Sequence, residues 1–268
     1  MKTFKQNILI LLTLLAILPN SLHAQEAKEP KTFTYEYEGQ TLTYEVIDES
    51  AKTCRTNPGE YGKNPGNTVN DELKLPAKPI DDETEYTLVE ISEYSFWNCA
   101  SLSSIEIPES VTTIEEGAFD SCIGLKNIII PTPVTNIGIY AFNGCSSLNY
   151  ISFPSTLTTI GGVAFSNCTS LSNIIIPEAV TSIGEDAFSG CPAVVTYNAK
   201  NCAISFPQNT AENQKASPFA DITSLTIGNT VETIPDYAFK NCTNLVSINM
   251  ESATSLTTIG NEANPYLR

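Results

Sequence analysis

Eight cysteines, thirty carboxylates and a single histidine are the side chains of this 268-residue sequence best suited to chemistry. The histidine, His23, falls in a leader described below, so the chain that remains has no imidazole. That excludes a Ser-His-Asp triad, a Cys-His pair and every histidine-based metal site. Cys99, Cys122, Cys145, Cys168 and Cys191 follow one another at steps of 23 residues, and Cys242 repeats their motif. Eight cysteines in an exported chain first suggest disulfides. Constant spacing argues otherwise, because equivalent residues of stacked units carry parallel Cα–Cβ vectors, whereas a disulfide needs its Cβ atoms turned toward each other. The column is expected to be buried thiols packed as small apolar groups. Cys54 and Cys202 stand outside it, and their positions leave open whether they meet. A thiolate zinc site needs ligands converging on one point, commonly as Cys-x-x-Cys pairs. A column does not converge, so no metal and no other cofactor is expected.

The carboxylates cluster at Asp81-Asp82-Glu83 with Glu85 and at Glu115-Glu116. A glycosidase needs two carboxyl groups at a set separation across a cleft. The spacing nominates no such pair, and the Asp81 group lacks the ligand alternation of a calcium loop. Both clusters read as solvated charge. No catalytic residue emerges.

Residues 1–24 read as a secretory signal peptide. Lys2 and Lys5 precede an apolar run from Ile8 to Leu18, and Pro19-Asn20-Ser21-Leu22-His23-Ala24 leads to a cut before Gln25. The run is shorter than the ~20 apolar residues that span a bilayer. The first cysteine is Cys54, which argues against a lipoprotein anchor. The expected location is secreted or cell-surface, with no membrane insertion once the leader is removed. The whole chain carries a net charge of -16. Cleavage removes two lysines and no acid, leaving 12 basic against 30 acidic residues, or -18. Such a surface repels phosphate backbones and acidic lipid, so nucleic acid is not an expected partner.

The elements that must position these residues are set by an internal repeat. Phe96, Phe119, Phe142, Phe165 and Phe188 keep the cysteine step, as do Ile91, Ile114, Ile137, Ile160 and Ile183. Ile105, Ile128, Ile151 and Ile174 form a third column, and Pro108, Pro131, Pro154 and Pro177 a fourth. Asn173 to Pro177 shows a short strand, with Ile174 and Ile176 on one face and proline ending it. Val180 and Ile183 mark a second extended piece. Ala187-Phe188 and Cys191 lie three apart, as on a single turn of helix. One unit cannot bury its own apolar face, but stacked units can. The predicted fold is a repeat solenoid: a right-handed coil with a parallel β-sheet, short helical turns on the other side, and Phe and Cys columns inside.

The array is expected over residues 91–268, in about seven coils. The step breaks between Phe188 and Phe239, which are 51 residues apart. Residues 192–233 read as an irregular coil, with Tyr197 in an isoleucine column, a polar loop from Ala203 to Lys215, and Ser217-Pro218-Phe219 restoring the phenylalanine without its cysteine. Phe239, Cys242, Leu245 and Ile248 are regular again. The last unit, from Ile259, is incomplete and shows no cap, which makes that coil a candidate face for self-association. Residues 25–90 read as a β-rich N-terminal cap. It opens with a hairpin from Thr32-Phe33-Thr34-Tyr35-Glu36-Tyr37 to Thr41-Leu42-Thr43-Tyr44-Glu45-Val46, followed by a loop from Asn57 to Asn70 and strands at Leu73-Lys74-Leu75 and Tyr86-Thr87-Leu88-Val89.

The Ala-Phe-x-x-Cys-x-x-Leu core and Ile-x-Ile-Pro strand end, as in Ile114 to Pro131 and Ile183 to Cys191, resemble the BspA-like leucine-rich-repeat family of bacterial surface proteins. Tyr197 to Cys202 and Ser217-Pro218-Phe219 are similar to that family's variant coil, and the Phe33 to Val46 hairpin to its lead-in. The resemblance implies an exported protein of an anaerobic, host-associated bacterium, of a kind in which some members adhere to host matrix proteins or other bacteria.

If Ile105 and Ile107 point inward, Ser104 and Glu106 point outward. The same alternation exposes Asn127 and Ile129, Tyr150 and Ser152, Asn173 and Ile175, and Thr196 and Asn198. Ile129, Tyr150 and Ile175 are apolar where solvent is expected, which suggests a contact surface. Trp97, beside Phe96, is a further candidate anchor. The reading is a non-catalytic binding module for an extracellular protein or glycan, held on the sheet or on the Ala203 to Lys215 loop. The alternative is a structural or self-assembling surface protein without a specific ligand.

Overall fold

The computed structural model describes residues 30–63, 67, 69, 71–206 and 217–263. The leader, most of the Ala203 to Lys215 segment and the last five residues lie outside them. The first strands are β1 (Thr32–Tyr37), β2 (Gln40–Asp48), β3 (Thr53–Thr56), β4 (Asp71–Lys74), β5 (Ile80–Asp81), β6 (Thr84–Glu85) and β7 (Thr87–Ile91). Tyr37 pairs with Gln40, so β1 and β2 are joined by Glu38-Gly39 alone. Both residues have positive φ, 49° and 78°, as a type I′ hairpin turn requires.

The repeats supply two short strands per coil. The proline-ended strands are β8 (Leu102–Glu106), β10 (Asn127–Ile129), β12 (Tyr150–Ser152) and β14 (Asn173–Ile176), together with their equivalents β16 (Val194–Tyr197), β18 (Ser224–Ile227) and β20 (Ser247–Asn249), where Asn198, Gly228 and Glu251 take the proline position. Alternating with them are β9 (Thr113–Ile114), β11 (Asn136–Ile137), β13 (Thr159–Ile160), β15 (Ser182–Gly184), β17 (Ala203–Ser205), β19 (Thr233–Ile234) and β21 (Thr258–Ile259). Of this second set, β19 pairs with β21 in a separate parallel ladder, and the first five form one sheet with the N-terminal strands, in the order β1-β2-β3-β7-β9-β11-β13-β15-β17. From β3 onward that ladder is parallel. The proline-ended strands form two ladders, β4-β8-β10-β12 and β14-β16-β18-β20. The interruption falls where Phe153 stands in place of the isoleucine found at Ile130 and Ile176. Its ring turns inward, edge-on to Phe165 at 5.5 Å.

Seven phenylalanine rings run through the interior in a single file: Phe96, Phe119, Phe142, Phe165, Phe188, Phe219 and Phe239. Their centroids are 5.1 to 5.4 Å apart. Phe219 fills the gap left by the irregular coil, 5.3 Å from Phe188. All seven rings are fully buried. Stacked aromatic pairs add about 0.5–1.5 kcal/mol each beyond the area they bury.

The cysteines run beside the rings, and all eight are unpaired. Cys99, first in the column, donates to the Asn67 carbonyl at 3.4 Å, and each later thiol of the regular part donates to the phenylalanine carbonyl of the preceding coil: Cys122 to Phe96, Cys145 to Phe119, Cys168 to Phe142 and Cys191 to Phe165, at 3.1–3.3 Å. Cys242 does the same to Phe219. The thiol is thus a small apolar filler that also satisfies a buried carbonyl. Burial pushes the thiol pKa of Cys54 up to about 12 and that of Cys202 up to about 11. These two lie on or beside β3 and β17, six strands apart in one sheet, and cannot bridge.

The expected helical turn is not present. Among the described residues there is no helix, and none long and apolar enough to cross a membrane. Around Phe119, alternate amides face different ways. Ala118, Asp120 and Cys122 close turns onto Glu115, Gly117 and Phe119 three residues back. Gly117, Phe119 and Ser121 donate instead to Ile139, Ala141 and Asn143 of the next coil, each at 2.8 Å. A helix would keep all these amides within its own coil. Sharing half of them with the neighbour requires left-handed residues four apart, here Gly117 (φ 58°) and Ser121 (φ 62°). The Ala203 to Lys215 segment also differs from expectation. Ala203–Ser205 is β17 and pairs with β15, placing Ile204 beside Ile183.

Candidate binding surface

The outward faces of the proline-ended strands form two columns. In the first, Ser104 neighbours Asn127, and Asn127 pairs with Tyr150. Beyond the interruption, Asn173 pairs with Val194, Val194 with Ser224, and Ser224 with Ser247. In the second, Ile129 pairs with Ser152, Ile175 with Thr196, Thr196 with Thr226, and Thr226 with Asn249. Glu106 heads this column. Period-two alternation puts the isoleucines between them inward, and Ile128 and Ile174 are buried.

The candidate residues are therefore placed unequally. Asn127 and Asn173 are exposed, and Ile129, Tyr150 and Ile175 have 68%, 53% and 54% of their surface open to solvent. Ser152, Ser104 and Thr196 are half-buried. Ile129 and Ile175 stand in one column with Ser152 between them, and Tyr150 stands in the other, so the apolar groups are staggered rather than in line. Trp97 does not belong to this face. It lies on the turn segment, half-buried, with its ring 5.7 Å from Tyr61, which in turn sits 5.5 Å from Tyr94.

On or beside this face, two exposed apolar residues escaped the sequence reading. Val194 falls in the first column, and Val246, just before β20, is 86% exposed. Val195, rather than Tyr197, pairs with Ile174, so the two outward positions flanking it are Val194 and Thr196 in place of the expected Thr196 and Asn198. A depression of about 460 Å³ opens beside Ile129, lined also by Ser104, Glu106, Glu109 and Asn127. At its edge Lys74 pairs with Glu106 at 3.3 Å, which raises the lysine pKa. Over the two outward positions of the seven strands from β8 to β20, Glu106 is the single charge. A chain with 30 acids has left this face almost neutral.

The other candidate chemistry is dispersed. Asp81 pairs with Thr84 in the short β5–β6 hairpin. No three His, Cys, Asp or Glu side chains among the described residues group as a metal ion would need.

A family model described as BspA type leucine rich repeat region matches residues 89–216 and 213–264, in six copies. The chain belongs to this family. BspA-type repeats are consistent with a binding or recognition module. The chain is similar to the solved leucine-rich repeat protein of T. pallidum, with 26% identity, a TM-score of 0.55, and coverage of 82% of this chain and 83% of that one. It also matches a leucine-rich repeat protein from Bacteroides ovatus at 19% identity and TM-score 0.31, over 85% of this chain and 79% of the other. The pneumococcal vaccine antigen PcpA matches at 17% identity and TM-score 0.46, over 85% and 78%. No curated protein matches the chain.

Proposed function

We propose that this BspA-type chain is an exported, non-catalytic binding module that holds an extracellular protein or glycan on the outer face of its proline-ended strands. The observation that carries the reading is the near-absence of charge on that face, together with the exposed Ile129, Tyr150, Ile175 and Val194. Exposed apolar side chains on a rigid, uncharged sheet lose little on desolvation and can act as anchors. The test is a binding screen against extracellular-matrix proteins and glycans. Wild type is compared with Tyr150→Ala and with a combined Ile129→Ser, Ile175→Ser variant. Loss of binding in the variants supports the assignment, and undiminished binding in both removes this face. Turnover of any screened glycan would contradict the non-catalytic part. Export is tested separately, by whether the chain recovered outside the cell begins at Gln25.

A second reading is self-association through the coil of β20 and β21. Ile248, Leu256 and Ile259 are only partly buried, whereas Leu225, Val231 and Ile234 one coil earlier are fully buried. Sedimentation across a concentration series tests it: a strict monomer at high concentration counts against it.

A further inference from the structure

The coil that carries β12 and β13 is held to the next coil, which carries β14 and β15, on two of its three sides. β13 pairs with β15, and the Thr181 amide donates to the Thr158 carbonyl at 2.8 Å. In the turns, the Phe165 and Asn167 amides donate to Ala187 and Ser189, each at 2.7 Å. The Phe165 and Phe188 rings stack at 5.2 Å. On the third side the sheet is parted, because β12 ends one ladder and β14 begins the other.

Amides at this seam lack the partners their counterparts have. Lys126 and Asn149 donate to the equivalent residue one coil back, at 3.0 and 2.9 Å, and so do Thr223 and Val246, both at 2.9 Å. Ser172 is the next residue in the Lys126 and Asn149 series. Its carbonyl accepts from Val194 at 2.9 Å, but among the described residues its amide meets no acceptor in the coil behind. The Ile130 amide donates forward to Ser152 at 3.1 Å, whereas Phe153, in the same place, makes no forward bond. The cause is the Phe153 ring. Its counterparts Ile130 and Ile176 are buried, and a coil spacing of about 4.8 Å leaves room there for an isoleucine. The longer ring enters by turning edge-on to Phe165, at 73°, and overpacking of this kind shifts the backbone. The exposed Tyr150 and Ile175 stand on opposite sides of the seam.

We infer that this seam is a hinge. The solenoid flexes about the closed β13–β15 side and the turns, and the flexing changes the separation of Tyr150 and Ile175 across the parted sheet. A face made of two hinged plates fits partners of different curvature, and the hinge is present whether or not that face binds a ligand. Phe153→Ile restores the isoleucine of the neighbouring coils and is expected to close the seam. Native-state hydrogen exchange, corrected for intrinsic rates, reads the closure. In the wild type the Ser172 amide should exchange about tenfold or more faster than that of Asn149, although both residues are exposed. In Phe153→Ile the Ser172 amide should slow to the Asn149 rate, with the Thr181 amide protected in both proteins. Motion is read from nitroxide labels on Asn127→Cys and Val246→Cys. Both positions are exposed, and they lie five coil steps of about 4.8 Å apart, or roughly 24 Å. The eight native cysteines are buried and stay unlabelled. The distance distribution should be broad in the wild-type background and narrow in the Phe153→Ile background. Equal protection of Ser172 and Asn149 in the wild type would overturn the hinge, a result that needs no variant to fold. A distribution of the same width in both backgrounds would overturn it as well.

Discussion

At the scale of single residues, the inward columns were legible because identical side chains recur at one spacing. What they do in detail was not. A cysteine in register with its copies reads as an apolar filler, and nothing in its spacing shows that Cys145 donates to the Phe119 carbonyl at 3.2 Å. Removing that donor leaves a buried acceptor unsatisfied, so Cys145→Ala should cost about 1–3 kcal/mol beyond its small cavity. Cys145→Ser, which keeps a donor, should recover part of this in denaturant titration. Val163 was likewise unremarkable in sequence, yet it holds φ at 58°. Left-handed backbone is unfavourable for a β-branched side chain, so Val163→Gly should raise stability by about 1 kcal/mol despite the loss of side-chain contact. A lower melting temperature for that variant would show that the side chain outweighs the backbone.

At the scale of elements, the strands follow from isoleucine alternation and proline stops. The turns do not, because residues three apart fit both a helical turn and successive β-turns. The deciding factor is where the amides point, and that is set by the next coil rather than by the local sequence. Tyr94, Tyr140 and Tyr237 hide the left-handed positions because tyrosine is not the residue such backbone favours. The pairing of Ala203–Ser205 was missed for a related reason: Ile204 is an isolated apolar residue in a polar stretch, recognisable as a strand only beside Ile183. Of the candidate surface, alternation located Ile129, Tyr150 and Ile175 but not Val194, whose register depends on its partner strand. Gly161 and Gly162 give a direct contrast. Gly161→Ala places a methyl 2.5 Å from the Ile139 amide and should cost about 1–3 kcal/mol, as overpacking does. Gly162→Ala has room and should be close to neutral by thermal melting.

At the scale of the molecule, two features act on all coils together. The first is charge. Glu115, Asp120 and Asp186 have raised pKa values, in each case chiefly through burial. An acid whose folded pKa lies above its unfolded value binds protons more readily when folded, so stability falls as pH rises through that window. Acidification from neutral pH toward the raised values should therefore increase stability, and a net charge of -16 adds self-repulsion in the same direction. The melting temperature is expected to be higher at pH 5 than at pH 7, by an amount on the order of a few degrees. A lower value at pH 5 would contradict this.

The second feature is the continuity of the phenylalanine file through the irregular coil, on which the extended sheet face depends. Stacked repeats gain stability only from their neighbours, so Phe188 must lie on Phe219 as closely as Phe142 lies on Phe165. The Phe188 amide donates across this junction to the Pro218 carbonyl at 2.8 Å, as the Phe119 and Phe142 amides donate to Ala141 and Ala164. Native-state hydrogen exchange at these amides is the most direct measurement. The expected result is protection of the Phe188 amide equal to that of Phe119 and Phe142, which is the mark of one cooperative stack. Exchange at Phe188 as fast as at an open turn, with Phe119 and Phe142 still protected, would show that the stack ends there.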